Sequence, residues 1–217
     1  MFERKPLRAD VGAEILGRII DGRLKSGTRI NESHLAVELG ISRTPLREAM
    51  LCLTTEGALA SDMGRGFRVP RLEGREVADV LQALSELLPA AIRHGRQLEL
   101  RDHVEAGNLL GRARLNQGDP SVFCEQVYLL LRLLAHDCPN DVLRRECTRL
   151  VRLSLRYLFE AQSRGWEPAA LLGNLERGLD ELRRGDRTAA AVSLGRTFRE
   201  LGDELPSRFP AAVADHA

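Results

Sequence analysis

The chain has 217 residues, 43% of them hydrophobic and 29% charged, with a formal net charge of +1. That length accommodates two compact domains, and the near-neutral balance excludes a protein that holds nucleic acid or membrane by bulk positive charge. No apolar run approaches the ~18 residues of a membrane span and the N-terminus lacks a signal-peptide hydrophobic region, so a soluble, cytoplasmic protein is expected.

Residues 1–6 read as a loose tail. From about Ala9 to Leu24, the residues Val11, Ile15, Ile19 and Ile20 recur at helical spacing, predicting an opening helix, and Lys25-Ser26-Gly27 reads as a turn. Residues 31–69 then read as helix, tight turn, helix and a short two-stranded ribbon. Leu35, Ala36 and Leu39 give the first of these helices an apolar stripe, and Gly40 supplies the residue that ends it with positive φ. Ser42 is placed to cap the second helix with its hydroxyl, and Pro45 lies in that helix's first turn, where a missing donor costs little. Leu46, Ala49, Met50 and Leu53 fall at i, i+3, i+4 and i+7 and should face a core. Arg43 and Arg47 stack one turn apart on another face with Thr44 beside them. Guanidinium and hydroxyl groups at the start of an exposed helix suit phosphates and guanine edges in a major groove. The ribbon alternates through Leu59 and Ser61 on one strand and Phe67 and Val69 on the other, with Gly64-Arg65-Gly66 as a tip carrying one cation. Residues 1–70 hold 11 Lys/Arg against 9 Asp/Glu, so DNA binding would rest on where the arginines sit.

The run LAVELGISRTPLREAMLCLTTEG followed by GRGFRV resembles the winged-helix domain of the GntR transcription regulators. With the lead-in IIDGRLKSGTRINESHLA, the resemblance covers about residues 7–70. It implies DNA contacts at Ser33, Ser42, Arg43, Thr44 and Arg47, and at Arg65 and Gly66 in the wing. Ser33 stands where other members place a basic residue.

Pro70 to Gly74 reads as a linker, placing a domain boundary near residue 71. Breaks at Gly95, Gly118-Asp119-Pro120, Pro139, Gly165 to Pro168 and Gly185 then divide the remainder into six amphipathic helices. These lie near 75–94, 98–117, 120–137, 140–163, 168–184 and 186–205, with Asp119, Asn140 and Asp186 at N-cap positions. The residues from Pro206 read as a frayed tail. The expected fold is therefore mainly α: a winged helix-turn-helix with a small β-ribbon over 7–70, and an all-α six-helix bundle over 75–205.

That order resembles the FadR-type branch of the GntR family, with its FCD effector-binding and dimerisation domain, and the helix number is most like the VanR-type subgroup. The resemblance implies a divalent metal held by carboxylate and imidazole ligands, and an arginine that clamps an organic acid. Counted from Ala135 to Asn140 and from Gly185-Asp186, the ligand positions here are Val127, Leu131, Leu175 and Thr197, and the clamp and acidic positions are Leu84 and Leu88. These side chains cannot serve, so neither metal nor cofactor is expected. Two readings of the region stay open. Either it holds an apolar or organic effector, with Tyr128, Arg152, Arg156 and Thr197 as orienting groups, or the leucines are plain core and the bundle serves assembly. A solvated charged face explains Arg152 and Arg156 equally well.

The cysteines Cys52, Cys124, Cys138 and Cys147 show no zinc spacing and read as buried, inert thiols, with a redox switch as the lesser alternative. His136-Asp137-Cys138 diverge around a helix and do not converge on an ion. There is no phosphate-binding glycine loop, nucleophile elbow or convergent His/Asp/Glu set, so an enzyme is not expected. The sequence reads as a regulator that binds a palindromic double-stranded DNA operator as a homodimer, with a possible small-molecule effector. The alternative is an effector-independent DNA-binding scaffold.

Overall fold

Val11, Ile15, Leu16 and Ile19 form one buried stripe, and the helix that carries them, α1, runs Arg8–Ile20. In this computed structural model, residues 8–62 and 66–210 are described. The expected opening helix stops short of Leu24 because Gly22 turns the chain at φ +73°, and Leu24 N donates back to Arg18 O. The expected tail at residues 1–6 lies outside the described residues. Two short helices follow, α2 (Glu32–Glu38) and α3 (Arg43–Thr55), then β1 (Ala60–Asp62) and β2 (Gly66–Arg68). The strands pair antiparallel with Ser61 opposite Phe67. Leu59, Phe67 and Val69 are buried beneath the ribbon, while α1 packs on α3. The segment at residues 27–30 also pairs with the second strand. Ile30 N donates to Phe67 O, and Val69 N to Thr28 O. That extended piece was not legible in the sequence.

The chain divides into two compact units between Leu72 and Glu73. Among the described residues the second holds six α-helices: α4 (Gly74–His94), α5 (Leu100–Leu115), α6 (Pro120–His136), α7 (Asp141–Ser163), α8 (Ala169–Arg183) and α9 (Arg187–Glu204). Their starts are set by local chemistry. Asp119 accepts from Ser121 N and Val122 N, Asn140 from Val142 N and Leu143 N, and Asp186 from Ala189 N. Helices α4 and α9 make the largest helix pairing. It needs Gly195, where a Cβ would come within 2.8 Å of Pro89 Cγ.

The described part of the expected tail, residues 206–210, is packed and not frayed, and the rest of it lies outside the described residues. A 3-10 turn spans Leu205–Arg208, Phe209 is buried edge-on against Tyr157 with ring centroids 6.2 Å apart, and Gly74 N donates to Pro210 O. Arg164 donates to Arg208 O and covers the Phe209 ring.

Candidate nucleic-acid interface

The interface is built from the first turn of α2 upward. Asn31 caps α2 by accepting from His34 N, and Leu35 and Ala36 anchor it. At its end Gly40 takes φ +63°, Ile41 N reaches Ala36 O and Gly40 N reaches Val37 O, a six-to-one and five-to-two pair of bonds that closes the helix. The chain re-enters helix at Arg43. Ser42 occupies the N-cap position with extended backbone, but its side chain makes no capping bond, contrary to expectation. It is exposed. The preceding glycine turn and Pro45 already fix the entry, so the hydroxyl is not needed there.

Leu46, Ala49, Met50 and Leu53 are all buried, which turns the other face of α3 outward. Arg43, Thr44 and Arg47 are exposed on it. Neither arginine is tucked into the core. Arg43 Nη2 donates to the hydroxyl of Ser33 on α2. Arg47 Nη1 lies 3.4 Å from Glu32 Oε2, its guanidinium sits 5.7 Å from the centre of the Phe67 ring, and its side chain stays 60% exposed. An ion pair that long and that wet is weak and leaves the guanidinium open to further partners.

Of the wing residues, Arg65 lies outside the described residues. Gly66 sits at φ +89°, and a Cβ there would meet Glu32 Oε1 at 3.1 Å. Its smallness is explained by backbone and by Glu32, without a ligand. Arg68, exposed on β2, donates to Asp62 Oδ1 at 3.1 Å, and Arg29 Nη2 lies 3.4 Å from Asp62 Oδ2. Glu32, Arg29 and Arg68 were missed in the sequence. Arg29 and Arg68 meet at Asp62 only through the ribbon pairing, and Glu32 meets Arg47 and Gly66 only through the fold.

In the second unit, Leu84 and Leu88 on α4, Val127 and Leu131 on α6, Leu175 on α8 and Thr197 on α9 are all buried. Tyr128 and Arg152 are half-buried, and Arg152 Nε donates to the Tyr128 hydroxyl at 3.2 Å. Thr197 Oγ1 donates to Ser193 O. Arg156 is only 2% exposed, which rules out a solvated face for it. It sits near Glu76 and Tyr157. Burial lowers its affinity for a proton and pushes the Glu76 carboxyl and the Tyr157 phenol up.

Among the described residues no group of three or more His, Cys, Asp or Glu side chains could hold a metal ion. His136 is exposed at the end of α6, 3.3 Å from Asp137. Cys124, Cys138 and Cys147 are buried, but Cys52 is exposed on α3, against the reading of four buried thiols. Its position falls between the core residues Leu46, Ala49, Met50 and Leu53 and the polar face. No described helix is long and apolar enough to cross a membrane.

The model for the gntR family of bacterial regulatory proteins matches residues 7–69. The HTH-type transcriptional regulator YdhC of Bacillus subtilis is 42% identical over 62 residues, 29% of this chain and 28% of that protein. The HTH-type transcriptional regulator McbR of Escherichia coli is 32% identical over 163 residues, 71% of each chain. The solved structure of E. coli McbR/YncC superposes with a TM-score of 0.79 at 26% identity, covering 94% of this chain and 99% of that one.

Proposed function

The chain belongs to the GntR family of bacterial regulatory proteins, a family of DNA-binding transcription regulators and not of enzymes, and from that premise we propose that it represses transcription as a homodimer on a palindromic operator. One observation carries the reading of the DNA face. Helix α3 buries Leu46, Ala49, Met50 and Leu53 while presenting Arg43, Thr44 and Arg47 to solvent. With Ser42 at its start, that face fits a major groove: the arginines read guanine edges, and the hydroxyls and Arg65 of the wing hold phosphates. Ser33 contributes through Arg43.

What supports the dimer is α5. Its core face is Ala106, Leu109, Leu110 and Ala113, yet Leu100, Val104 and Leu115 are 80%, 56% and 86% exposed on the opposite side. Gly111 lies in the same stripe with open space above it. A two-fold axis near residue 108 would set Leu100 of one copy against Leu115 of the other. It would also bring Glu105 and Arg112, an ion pair of 3.1 Å within one chain, into reach of their counterparts. A homodimer supplies two α3 helices, one for each of two successive major grooves about 34–36 Å apart.

An apolar or organic effector would enter the second unit among Leu84, Leu88, Val127, Leu131 and Leu175. It would act by favouring one dimer geometry over another. The second reading, a scaffold without effector, is favoured by the polar groups there: Arg152 is engaged with Tyr128, and Thr197 with the α9 backbone. Selection of duplexes from a random pool by the full-length protein tests the DNA reading. A thermal-shift screen with acyl, aromatic and sugar-acid compounds, followed by operator titration, separates the two roles of the helical unit.

A further inference from the structure

We propose that Glu32 and Ser33, adjacent in the first turn of α2, are positioning residues for the two arginines of α3, and that Glu32 thereby sets the ratio of specific to non-specific DNA binding. The inference rests on α3 being the helix that reads DNA. Two elements, α3 and β2, converge on Glu32 of α2. Its Oε2 lies 3.4 Å from Arg47 Nη1, and its Oε1 fills the space that a side chain on Gly66 of β2 would need. Its side chain is only 18% exposed, far less than that of Arg47. The guanidinium of Arg47 is thus held between a carboxylate from α2 and the Phe67 ring from β2. Ser33 does the same for Arg43 with a neutral hydroxyl, adding no charge beside the phosphates.

Two opposing consequences follow. An arginine already held near its docking orientation loses less rotamer freedom on meeting its base, which favours the correct sequence. A carboxylate close to the phosphate backbone repels every sequence alike. Glu32 therefore raises the affinity for the operator through Arg47 and lowers the affinity for all other DNA. Because the ion pair is long and the arginine remains open to solvent, the hold is loose enough to release.

The test compares full-length wild type, Glu32→Gln, Glu32→Asp and Ser33→Ala by fluorescence anisotropy on two duplexes. One is selected from a random pool by the wild type, and the other is its scrambled counterpart of equal length and composition. Glu32→Gln, which keeps shape and removes charge, should weaken the selected duplex about three- to tenfold and tighten the scrambled one about twofold. Glu32→Asp should keep part of the wild-type ratio. Ser33→Ala should weaken the selected duplex with little change on the scrambled one. Tightening of both duplexes by one factor under Glu32→Gln would reduce Glu32 to simple repulsion, and parallel weakening of both would make its role structural. Either result overturns the proposal. A wild type that selects no duplex at all would instead remove the DNA reading on which it rests.

Discussion

If Arg47 reads DNA as proposed, replacing it by Ala should separate DNA reading from folding, because the structure gives that side chain few contacts within the chain. Its contacts within the chain are an exposed ion pair at 3.4 Å to Glu32 and a 5.7 Å approach to the Phe67 ring. Exposed ion pairs contribute about 0.2–1 kcal/mol and exposed cation–π contacts about 0.5–1 kcal/mol, so stability should fall by less than about 2 kcal/mol. Loss of a bidentate arginine–guanine contact costs about 1–3 kcal/mol in discrimination, a factor of roughly 5 to 150 in operator affinity. Anisotropy titrations on a selected duplex, paired with thermal melts of the free protein, measure both quantities. The expected outcome is a modest melting shift and a large loss confined to the selected sequence. Unchanged operator affinity, or an equal loss on scrambled DNA, would refute the assignment of Arg47 to base reading.

Leu115→Glu and Val104→Glu each place a charge on the exposed stripe of α5 and should convert two chains to one by light scattering, with operator affinity falling at least about tenfold through lost bivalency; a wild-type dimer that persists in both variants would place the interface elsewhere. Thiol titration of the native protein at pH 8 should find one fast-reacting cysteine per chain, Cys52, and four in denaturant, because burial pushes the Cys124 and Cys147 thiols up to about 12 and Cys138 is buried. Burial raises the Glu76 carboxyl above the ordinary value of 4.5, with Arg156 opposing, so the folded protein binds that proton more tightly than the unfolded chain does. The charged form is therefore a cost at neutral pH, relieved as pH falls through the raised value towards 4.5. Measured by melting temperature, the wild type should gain on Glu76→Gln between pH 7 and 5; a difference that stays flat would show that Glu76 ionises normally.

Most of the helical framework was legible because its boundaries are written in local chemistry. Asp119, Asn140 and Asp186 accept the bonds that N-cap residues should, and Gly40 and Gly185 take positive φ where helices end. The two faces of α3 were readable from spacing alone, since Leu46, Ala49, Met50 and Leu53 define one side and leave the arginines on the other. The misses have a common cause, contacts distant in sequence. Phe209 looked like a tail residue, but its ring packs on Tyr157, and no pattern near residue 206 announces that. Arg156, one turn from Arg152, read equally well as a charged face. The turns of α7 around it bury Leu155, Tyr157 and Leu158 as well, so no outer side remains there. Ser42 has the residue type and backbone of a cap without the bond. Glu32 carried no signal of its own, because its partners Arg47 and Gly66 lie fifteen and thirty-four residues onward.

A dimer that reads a palindromic operator should bring the arginines of α3 into a major groove twice, once per half-site. Dimethyl sulfate interference on a selected duplex reads it directly, since methylation marks guanine N7 in the major groove and adenine N3 in the minor groove. The expected pattern is strong interference at guanines in two symmetric clusters about 10–10.5 base pairs apart, with one guanine per half-site becoming insensitive in Arg47→Ala. Interference confined to adenine N3, or a single cluster without its symmetric mate, would refute major-groove reading by two α3 helices.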